Sequence, residues 1–383
     1  MSKIISHSNK TSLSDFSRVI DECTSSIELN PKDANAYLNR GIAKKNLEDY
    51  LGAILDYTKS LELDTKYKEA YYYRGISKKK LKDYLGAIQD YSKAIEIDSK
   101  YKKAYLDRGI ARKQLKDYLG AIQDYSKAIE LDPKYIKAYF NRGLAKEKLE
   151  DHHGALSDYT KALELDPKYI KAYFNRGCIK DELKDYHGEI QDFTRAIELD
   201  PNDAEVHRKR GLAKGNLKDF QGAILDFSKS IELEPKDKEN YFSRGWAKGV
   251  FKDFQGAILD FSKVIELEPN DAKAYFNRGY AKDNIEDHLG AILDYSKAIE
   301  LDPNFKNAYL NRGISKDDLK DFNGEILDFS KLIELDPNYA EAYFYRGLAK
   351  IEIGDIKSGC QDFKKANELG NTEALNKINK YCT

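Results

Sequence analysis

Apolar residues recur at helical spacing in pairs of short stretches along most of the chain. One pair lies between residues 136 and 169, and its first stretch has apolar side chains at Ile136, Tyr139, Phe140 and Leu144. The second stretch has them at Leu156, Tyr159, Ala162 and Leu163. Steps of three and four residues put such side chains on one face of an α-helix. The pattern predicts two amphipathic helices within 34 residues.

A polar turn separates the two predicted helices. It contains Leu149, Glu150 and Asp151. Asp151 suits the N-cap of the second helix, because its carboxylate can accept from free N–H groups of the first turn. The second helix should end at Asp166-Pro167, since proline has no N–H to donate. The unit is therefore a predicted helical hairpin, which is too small to bury its apolar faces without neighbours.

The same unit is repeated without an insertion. The residues LDPKYIKAYFNRG run from Leu131 to Gly143 and occur again from Leu165 to Gly177. One glycine recurs every 34 residues, at Gly41, Gly75, Gly109, Gly143, Gly177, Gly211, Gly245, Gly279, Gly313 and Gly347. All eight prolines share one register, at Pro31, Pro133, Pro167, Pro201, Pro235, Pro269, Pro303 and Pro337. This regularity indicates ten tandem units rather than independent domains.

The unit resembles the tetratricopeptide repeat (TPR), a helix-turn-helix of 34 residues. The fourth unit has the family's aromatic, small and proline residues at Tyr139, Gly143, Ala155, Tyr159, Ala162 and Pro167. The resemblance implies an all-α fold, a right-handed superhelical solenoid whose first helices line a concave groove. Two departures occur in every unit: the seventh position is Arg where the family has Leu, and the eleventh is Lys or Arg where the family has an aromatic.

The repeat register divides the chain into four predicted parts. Residues 1–12 are a flexible tail, and residues 13–33 are a half repeat that contributes only a second helix. Residues 34–371 are the ten units, which start at 34, 68, 102, 136, 170, 204, 238, 272, 306 and 340. Residues 372–383 form a helix that resembles the cap helix of such arrays, which covers an otherwise exposed apolar face.

Composition narrows the choice of partner and compartment. The chain has 64 Lys and Arg against 65 Asp and Glu, so no overall field attracts nucleic acid or an anionic membrane. No window has the roughly 20 apolar residues of a membrane span. No apolar signal core is seen near the N-terminus. We therefore expect a cytoplasmic protein that does not bind a membrane, and the balanced charge disfavours nucleic acid as its partner.

Motifs for catalysis or cofactor binding are lacking. The sequence has no P-loop, no Gly-rich dinucleotide motif and no nucleophile elbow. The six histidines do not pair at i, i+4 spacing, as a metal site on one helix would require. We therefore predict no enzyme activity, no cofactor and no metal.

Two glutamates and two cysteines leave alternatives open. Glu189 and Glu325 stand where most other units have alanine, so each carboxylate must be paired or have a raised pKa. This allows a catalytic role, but a rearrangement that lets the side chain reach water or a lysine is the better interpretation. Cys360 and Cys382 would come to about the same level in a hairpin of the last two helices. The missing signal sequence favours reduced thiols over a disulfide.

An Asp recurs in every second helix, at a level that faces the Arg of the first helix. In the fourth and fifth units the pairs are Arg142 with Asp158 and Arg176 with Asp192. Because arginine pairs with carboxylate through two hydrogen bonds, we predict an intramolecular ladder. The rival interpretation, a cationic stripe for phosphate or nucleic acid, does not explain the equal number of aspartates.

Ligand recognition should lie at positions where the units differ. By family resemblance, the second, fifth, ninth, twelfth and thirteenth positions of each unit face the groove. The candidate binding residues are Phe140, Phe174, Arg208, Phe242, Trp246, Phe276, Tyr280, Lys79, Lys80 and Lys113. The alternative is that the apolar fifth and ninth positions pack between units. Near Trp246, Gly215 and Gly249 remove bulk, which predicts a recess with Arg208 at its rim.

Charges at the second, twelfth and thirteenth positions are unevenly distributed. The first four units have seven cations and two anions there, whereas the last six have two cations and nine anions. We predict a noncatalytic scaffold that binds a peptide or protein segment, with head-to-tail self-association as another use of this asymmetry. The alternatives are a regulatory subunit of an enzyme on another chain and, with less support, an RNA-binding array.

Overall fold

A computed structural model describes residues 13–382, which contain 22 α-helices and no β-strand. The all-α prediction is confirmed. The predicted flexible tail, residues 1–12, lies outside the described residues. The described chain begins with α1, Leu13–Leu29, and its last helix is α22, Glu373–Tyr381.

Between these two helices, first helices of 12 or 13 residues alternate with second helices of 13 or 14 residues. The first helices are α2 (Ala34–Asn46), α4 (Lys68–Lys80), α6 (Lys102–Gln114), α8 (Ile136–Glu147), α10 (Ile170–Glu182), α12 (Ala204–Asn216), α14 (Lys238–Val250), α16 (Ala272–Asp283), α18 (Lys306–Asp318) and α20 (Ala340–Glu352). The second helices are α3 (Tyr50–Leu63), α5 (Tyr84–Ile97), α7 (Tyr118–Leu131), α9 (His152–Leu165), α11 (Tyr186–Leu199), α13 (Phe220–Leu233), α15 (Phe254–Leu267), α17 (His288–Leu301), α19 (Phe322–Leu335) and α21 (Ile356–Glu368).

The chain divides into two compact units. The first ends at Asp185 and contains α1 to α10, and the second begins at Tyr186 and contains α11 to α22. Within each unit a helix packs against the helix before it and the helix after it. Both units are therefore stacks of helices in chain order, as a repeat array requires.

The turn inside each hairpin has a regular construction. As predicted, Asp151 caps the second helix, and its carboxylate accepts from the Gly154 N–H at 2.9 Å. The preceding residue, Glu150, has a left-handed φ of 60°. The equivalent residue is also left-handed in eight other turns, where it is lysine or glutamate, and in the last turn it is Gly354. In every turn but the last, a residue with a side chain therefore adopts a positive φ, which is sterically unfavourable.

The recurring glycine of each first helix allows close contact with the second helix. A Cβ added at Gly143 would lie 2.7 Å from the Tyr159 ring, which is fully buried. Tyr159 packs with Ala155, Ala162 and residues of α10 in one apolar cluster. The repeated sequence is thus explained by packing, since each hairpin must fit both itself and the next first helix.

The C-terminal end corrects one expectation. α22 buries Ala374 in an apolar cluster with Phe344 and Phe363. Cys360 and Cys382 form a disulfide, with their Cα atoms 5.6 Å apart, so the expectation of reduced thiols is wrong for this structure. The last two helices bring the thiols to the same level, and that geometry decides the pairing.

Candidate interaction surface

The recurring arginines bind aspartates inside the protein. Arg142 Nε and Nη2 donate to the two carboxylate oxygens of Asp158 at 2.9 and 2.6 Å. Arg142 Nη1 donates to Ser126 Oγ on the preceding second helix at 3.0 Å. One guanidinium therefore connects two consecutive hairpins through charge-assisted hydrogen bonds. In the fifth unit, Arg176 donates to Thr160 Oγ1 at 3.1 Å, and Asp192 is buried.

A second cation takes part in these networks, and sequence reasoning missed it. Lys146 Nζ, at the eleventh position, lies 2.8 Å from Asp158 Oδ2. The signal was present, because Lys or Arg occupies that position in every unit where the family has an aromatic. The equivalent triads are Arg40–Asp56–Lys44, Arg74–Asp90–Lys78, Arg108–Asp124–Arg112, Arg210–Asp226–Lys214, Arg244–Asp260–Lys248, Arg278–Asp294–Lys282, Arg312–Asp328–Lys316 and Arg346–Asp362–Lys350.

The aromatic residues at the fifth position pack between hairpins. Phe140 is buried, and its ring centroid lies 5.7 Å from that of Tyr159 and 4.9 Å from that of Tyr169. Phe276 has the same arrangement with Tyr295 and Phe305. The other two aromatic candidates at this position, Phe174 and Phe242, are half-buried. These contacts favour the packing alternative for the fifth position.

The residue at the ninth position is more exposed in three consecutive first helices of the second compact unit than in the other first helices. Leu212, Trp246 and Tyr280 are 38, 46 and 48% exposed, and we call these three residues the Trp246 strip. α14 contacts both α12 and α16, so the strip crosses three neighbouring first helices. At the other first helices the ninth residue, such as Ile110 or Ile314, is half-buried. The strip is therefore an exposed apolar feature of this part of the chain.

Two glycines leave space beside the indole of Trp246. A Cβ added at Gly249 would meet no atom within 4 Å, and one added at Gly215 would lie 3.7 Å from the Trp246 ring. The Phe220 ring packs edge to face with the indole, with 6.1 Å between ring centroids. Arg208 is half-buried one turn before Leu212 on α12. A side chain of a partner could thus reach the indole without displacing protein atoms.

The three candidate lysines of the first compact unit have different surroundings. Lys79 Nζ is paired with Asp107 Oδ1 at 2.5 Å, and Asp107 also accepts from the Tyr72 hydroxyl at 2.7 Å. Lys113 donates to Asn141 Oδ1 at 3.3 Å, and burial lowers the pKa of this lysine. Lys80 is exposed. The cationic character predicted for this part of the chain is therefore reduced by internal contacts.

A buried glutamate on α19 lies near acidic residues of α18 and α20. Glu325 is 2% exposed and its Oε2 has no hydrogen-bond partner. Burial raises the pKa of Glu325 to about 8, with further contributions from Asp317, Asp321 and Glu352. The expectation that this side chain reaches water or a lysine is wrong for Glu325, because the side chain is buried and no donor contacts its Oε2. Glu189 is also buried.

None of the helices between residues 13 and 382 is both long and apolar enough to span a lipid bilayer.

Family comparisons identify the repeat. A family model described as "Tetratricopeptide repeat" matches residues 136–169. Another with the same description matches residues 34–67, 68–101, 170–203 and 272–305. A third, described as "TPR repeat", matches residues 111–150. No curated protein matches the chain.

Solved structures of TPR proteins are similar to large parts of the chain. The C-terminal part of a TPR repeat-containing protein from Cytophaga hutchinsonii is 20% identical, with a TM-score of 0.55 over 62% of this chain and 97% of that one. A TPR protein from Parabacteroides merdae is 19% identical, with a TM-score of 0.46 over 65% and 98%. YrrB, described as a TPR protein with an unusual peptide-binding site, is 25% identical, with a TM-score of 0.45 over 48% and 95%. The likeness to the Cytophaga protein supports the solenoid fold.

Proposed function

Because the chain belongs to the tetratricopeptide repeat family, we propose that it is a noncatalytic scaffold that binds a peptide or protein segment on its first helices. In this proposal the units that start at residues 34 to 340 form the binding array, and residues 13–33 and 372–383 close its ends. The partner is a protein segment rather than a nucleic acid, because the recurring arginines are engaged by buried aspartates.

The observation that carries the proposal is the exposed Trp246 strip. Large apolar side chains that remain in water lose the roughly 25 cal/mol per Å² that burial would provide. Tryptophan and tyrosine are also the residues that most often dominate binding at protein interfaces. The open space beside Gly249 gives an incoming side chain room to pack on the indole. The strip is therefore the best candidate for an apolar anchor site.

The charge near the strip indicates the chemistry of the partner. Asp317, Glu341 and Glu352 lie on α18 and α20, in the same compact unit as the strip. Asp317 is itself in an unfavourable environment, because burial together with Asp318 and Glu352 raises its pKa. A lysine or arginine of a partner would relieve this repulsion. We therefore propose a segment with an aromatic or large aliphatic anchor followed or preceded by basic residues.

A peptide-display selection on the full chain tests the proposal. Enriched peptides should contain an aromatic or large aliphatic anchor and at least one basic residue. Trp246→Ala should weaken binding of a selected peptide at least about tenfold, because truncating a central aromatic typically costs about 2 kcal/mol or more. Arg208→Glu, combined with Trp246→Ala, probes the rim of the recess in the same assay.

Leu259→Ala is the matched control. Leu259 is 71% exposed on α15, a second helix of the same unit, so its truncation removes exposed apolar area from a different face. It should leave peptide affinity unchanged. The proposal is wrong if Leu259→Ala abolishes binding and Trp246→Ala does not, or if no peptide is enriched over an unrelated helical control.

A further inference from the structure

A histidine and two aspartates from three helices of the second compact unit converge on one point. His288 begins α17, whereas Asp283 and Asp318 end α16 and α18. The His288 Nδ1 lies 2.8 Å from Asp283 Oδ1 and 3.5 Å from Asp318 Oδ2. One potential metal-ligand atom from each residue lies within 4.8 Å of those from the other two residues. Among residues 13–382, only this group brings three such ligands together.

We propose that His288, Asp283 and Asp318 bind a divalent transition-metal ion of the zinc type, with water in the remaining coordination positions. Zinc binds imidazole nitrogen and carboxylate oxygen at about 2.0 to 2.2 Å, which separates the ligand atoms by about 3.4 Å in a tetrahedral site. The separations at His288 Nδ1, 2.8 and 3.5 Å, lie on either side of that value. Small side-chain rotations would thus suffice for binding.

The ligand types favour zinc-like ions over magnesium or calcium. Magnesium and calcium prefer sites made entirely of oxygen atoms, whereas imidazole suits zinc, copper and nickel. His288 and Asp283 are half-buried and Asp318 is exposed, so an ion can enter from solvent. A single ring nitrogen can donate well to only one of the two carboxylates, but a cation at the same point attracts both.

Neighbouring residues support the ligands. The Ser315 hydroxyl donates to Asp283 Oδ1 at 3.0 Å and so orients that carboxylate. Hydrogen bonds of this kind from outside the ligand set increase metal affinity. Asp317, beside Asp318, and Glu352 on α20 add further negative charge to this region. An ion bound here would connect the eighth hairpin to the first helix of the ninth.

The fourth unit has a matched control for this site. His152 occupies the same repeat position as His288, and Glu147 and Glu182 occupy the positions of Asp283 and Asp318. Glu147, however, accepts a hydrogen bond from the Tyr159 hydroxyl at 2.9 Å. These three residues are not among the convergent ligand groups of the described chain. His152→Ala therefore removes an equivalent histidine without removing the proposed site.

The test is titration of the full chain, without an affinity tag, with Zn²⁺ by calorimetry and with Co²⁺ by its visible absorption. Cys23 and Cys178 are replaced by serine in every variant, so that free thiols do not bind the ions. The expected result is one ion per chain. Loss of an outer hydrogen-bond partner alone weakens metal sites about 10- to 100-fold, so His288→Ala and Asp318→Asn should each weaken binding at least about tenfold.

His152→Ala should bind both ions as the parent does. Far-UV circular dichroism checks the fold of each variant, and Asp318→Asn is the decisive one because its side chain is exposed. The proposal is overturned if the parent binds neither ion at millimolar concentration. It is also overturned if folded Asp318→Asn and His288→Ala bind as tightly as His152→Ala.

Discussion

At the scale of the residue, the turns hold lysine or glutamate at a left-handed φ, and α19 buries the carboxyl group of Glu325. The N-capping aspartates and the glycines in contact with aromatic rings follow from sequence pattern, because one local interaction determines each. The left-handed turn residues do not, since lysine and glutamate give no signal for positive φ. The buried Glu325 was recognised as unusual, but its missing hydrogen-bond partner depends on the packing of several helices.

Two glycines of α12 allow a matched test of packing. A Cβ at Gly211 would lie 2.7 Å from the buried Phe227 ring, whereas one at Gly215 would meet its nearest atom at 3.7 Å. Gly211→Ala should lower stability by about 1 to 3 kcal/mol through overpacking. Gly215→Ala should raise it by up to about 1 kcal/mol, because alanine favours the helix. Equal melting temperatures for the two variants would contradict this account of the contact.

Glu325 should make stability depend on pH. The folded chain keeps the carboxyl proton up to a pKa of about 8, whereas the unfolded chain releases it near 4.5. The free energy of unfolding should therefore fall as pH rises from about 4.5 to about 8. Release of one proton limits the slope to at most about 1.4 kcal/mol per pH unit. Glu325→Gln removes this fall, which thermal unfolding across this pH range would measure.

The control for Glu325 lies on the same helix. Glu334 is an exposed residue of α19 that pairs with Lys331 at 2.7 Å. Glu334→Gln should leave the pH dependence of melting as it is in the parent. A Glu325→Gln variant with the same pH profile as the parent would show that Glu325 is ionised in the folded protein at neutral pH.

At the scale of the element, the hairpin is the unit that the sequence predicts best. Helical periodicity, turn residues and proline together determined both helices, and the Arg–Asp pairing followed from their antiparallel arrangement. The role of the lysine at the eleventh position was missed, because a carboxylate already paired with arginine gave no reason to expect a second cation. Whether the fifth position packs or lines a groove depends on the next hairpin, so a single unit could not decide it.

A double-mutant cycle tests the contribution of the buried pair. Arg142→Ala leaves the buried Asp158 paired only with Lys146. It should lower the free energy of unfolding by about 2 to 4 kcal/mol, which is less than the loss of both cations would cost. Adding Asp158→Ala should recover part of that loss, which gives a coupling energy above about 1 kcal/mol. The measurement is thermal unfolding of the parent, both single variants and the double variant.

An exposed pair in the same hairpin is the control for the cycle. Lys161 and Glu164 form an ion pair at 2.7 Å on the surface of α9. Lys161→Ala should change stability by less than about 1 kcal/mol, because solvent screens the pair. If Arg142→Ala is no more destabilising than Lys161→Ala, the internal network does not stabilise the hairpin.

At the scale of the whole molecule, the periodicity of 34 residues determined the class of fold, whereas binding features depend on departures from it. The Trp246 strip could be suspected because it contains the single tryptophan. The proposed site at His288 could not, since Asp318 comes from the next repeat and meets Asp283 and His288 only through the stacking of α18. Sequence periodicity is informative about neighbours in the stack and gives little information about side chains that converge from different units.

Deletions of different length test the repeat architecture. Removing residues 238–271, one complete unit, should leave a folded helical protein, because the flanking hairpins are built to pack on a copy of the lost one. Removing half of that unit brings two helices of the same kind together and should disrupt folding around the deletion. Circular dichroism and melting curves that do not distinguish the two deletions would contradict the repeat account.

A partner segment that covers the Trp246 strip should change the fluorescence of this tryptophan, and this change is the most direct test of the proposed binding. Trp246 is the only tryptophan in the chain, so its emission reports on one place. Titration with a selected peptide that lacks tryptophan should shift the emission to shorter wavelength, because binding removes the half-exposed indole from water. The shift should saturate at the same peptide concentration as the calorimetric binding signal. Calorimetric binding with unchanged Trp246 emission would contradict the claim.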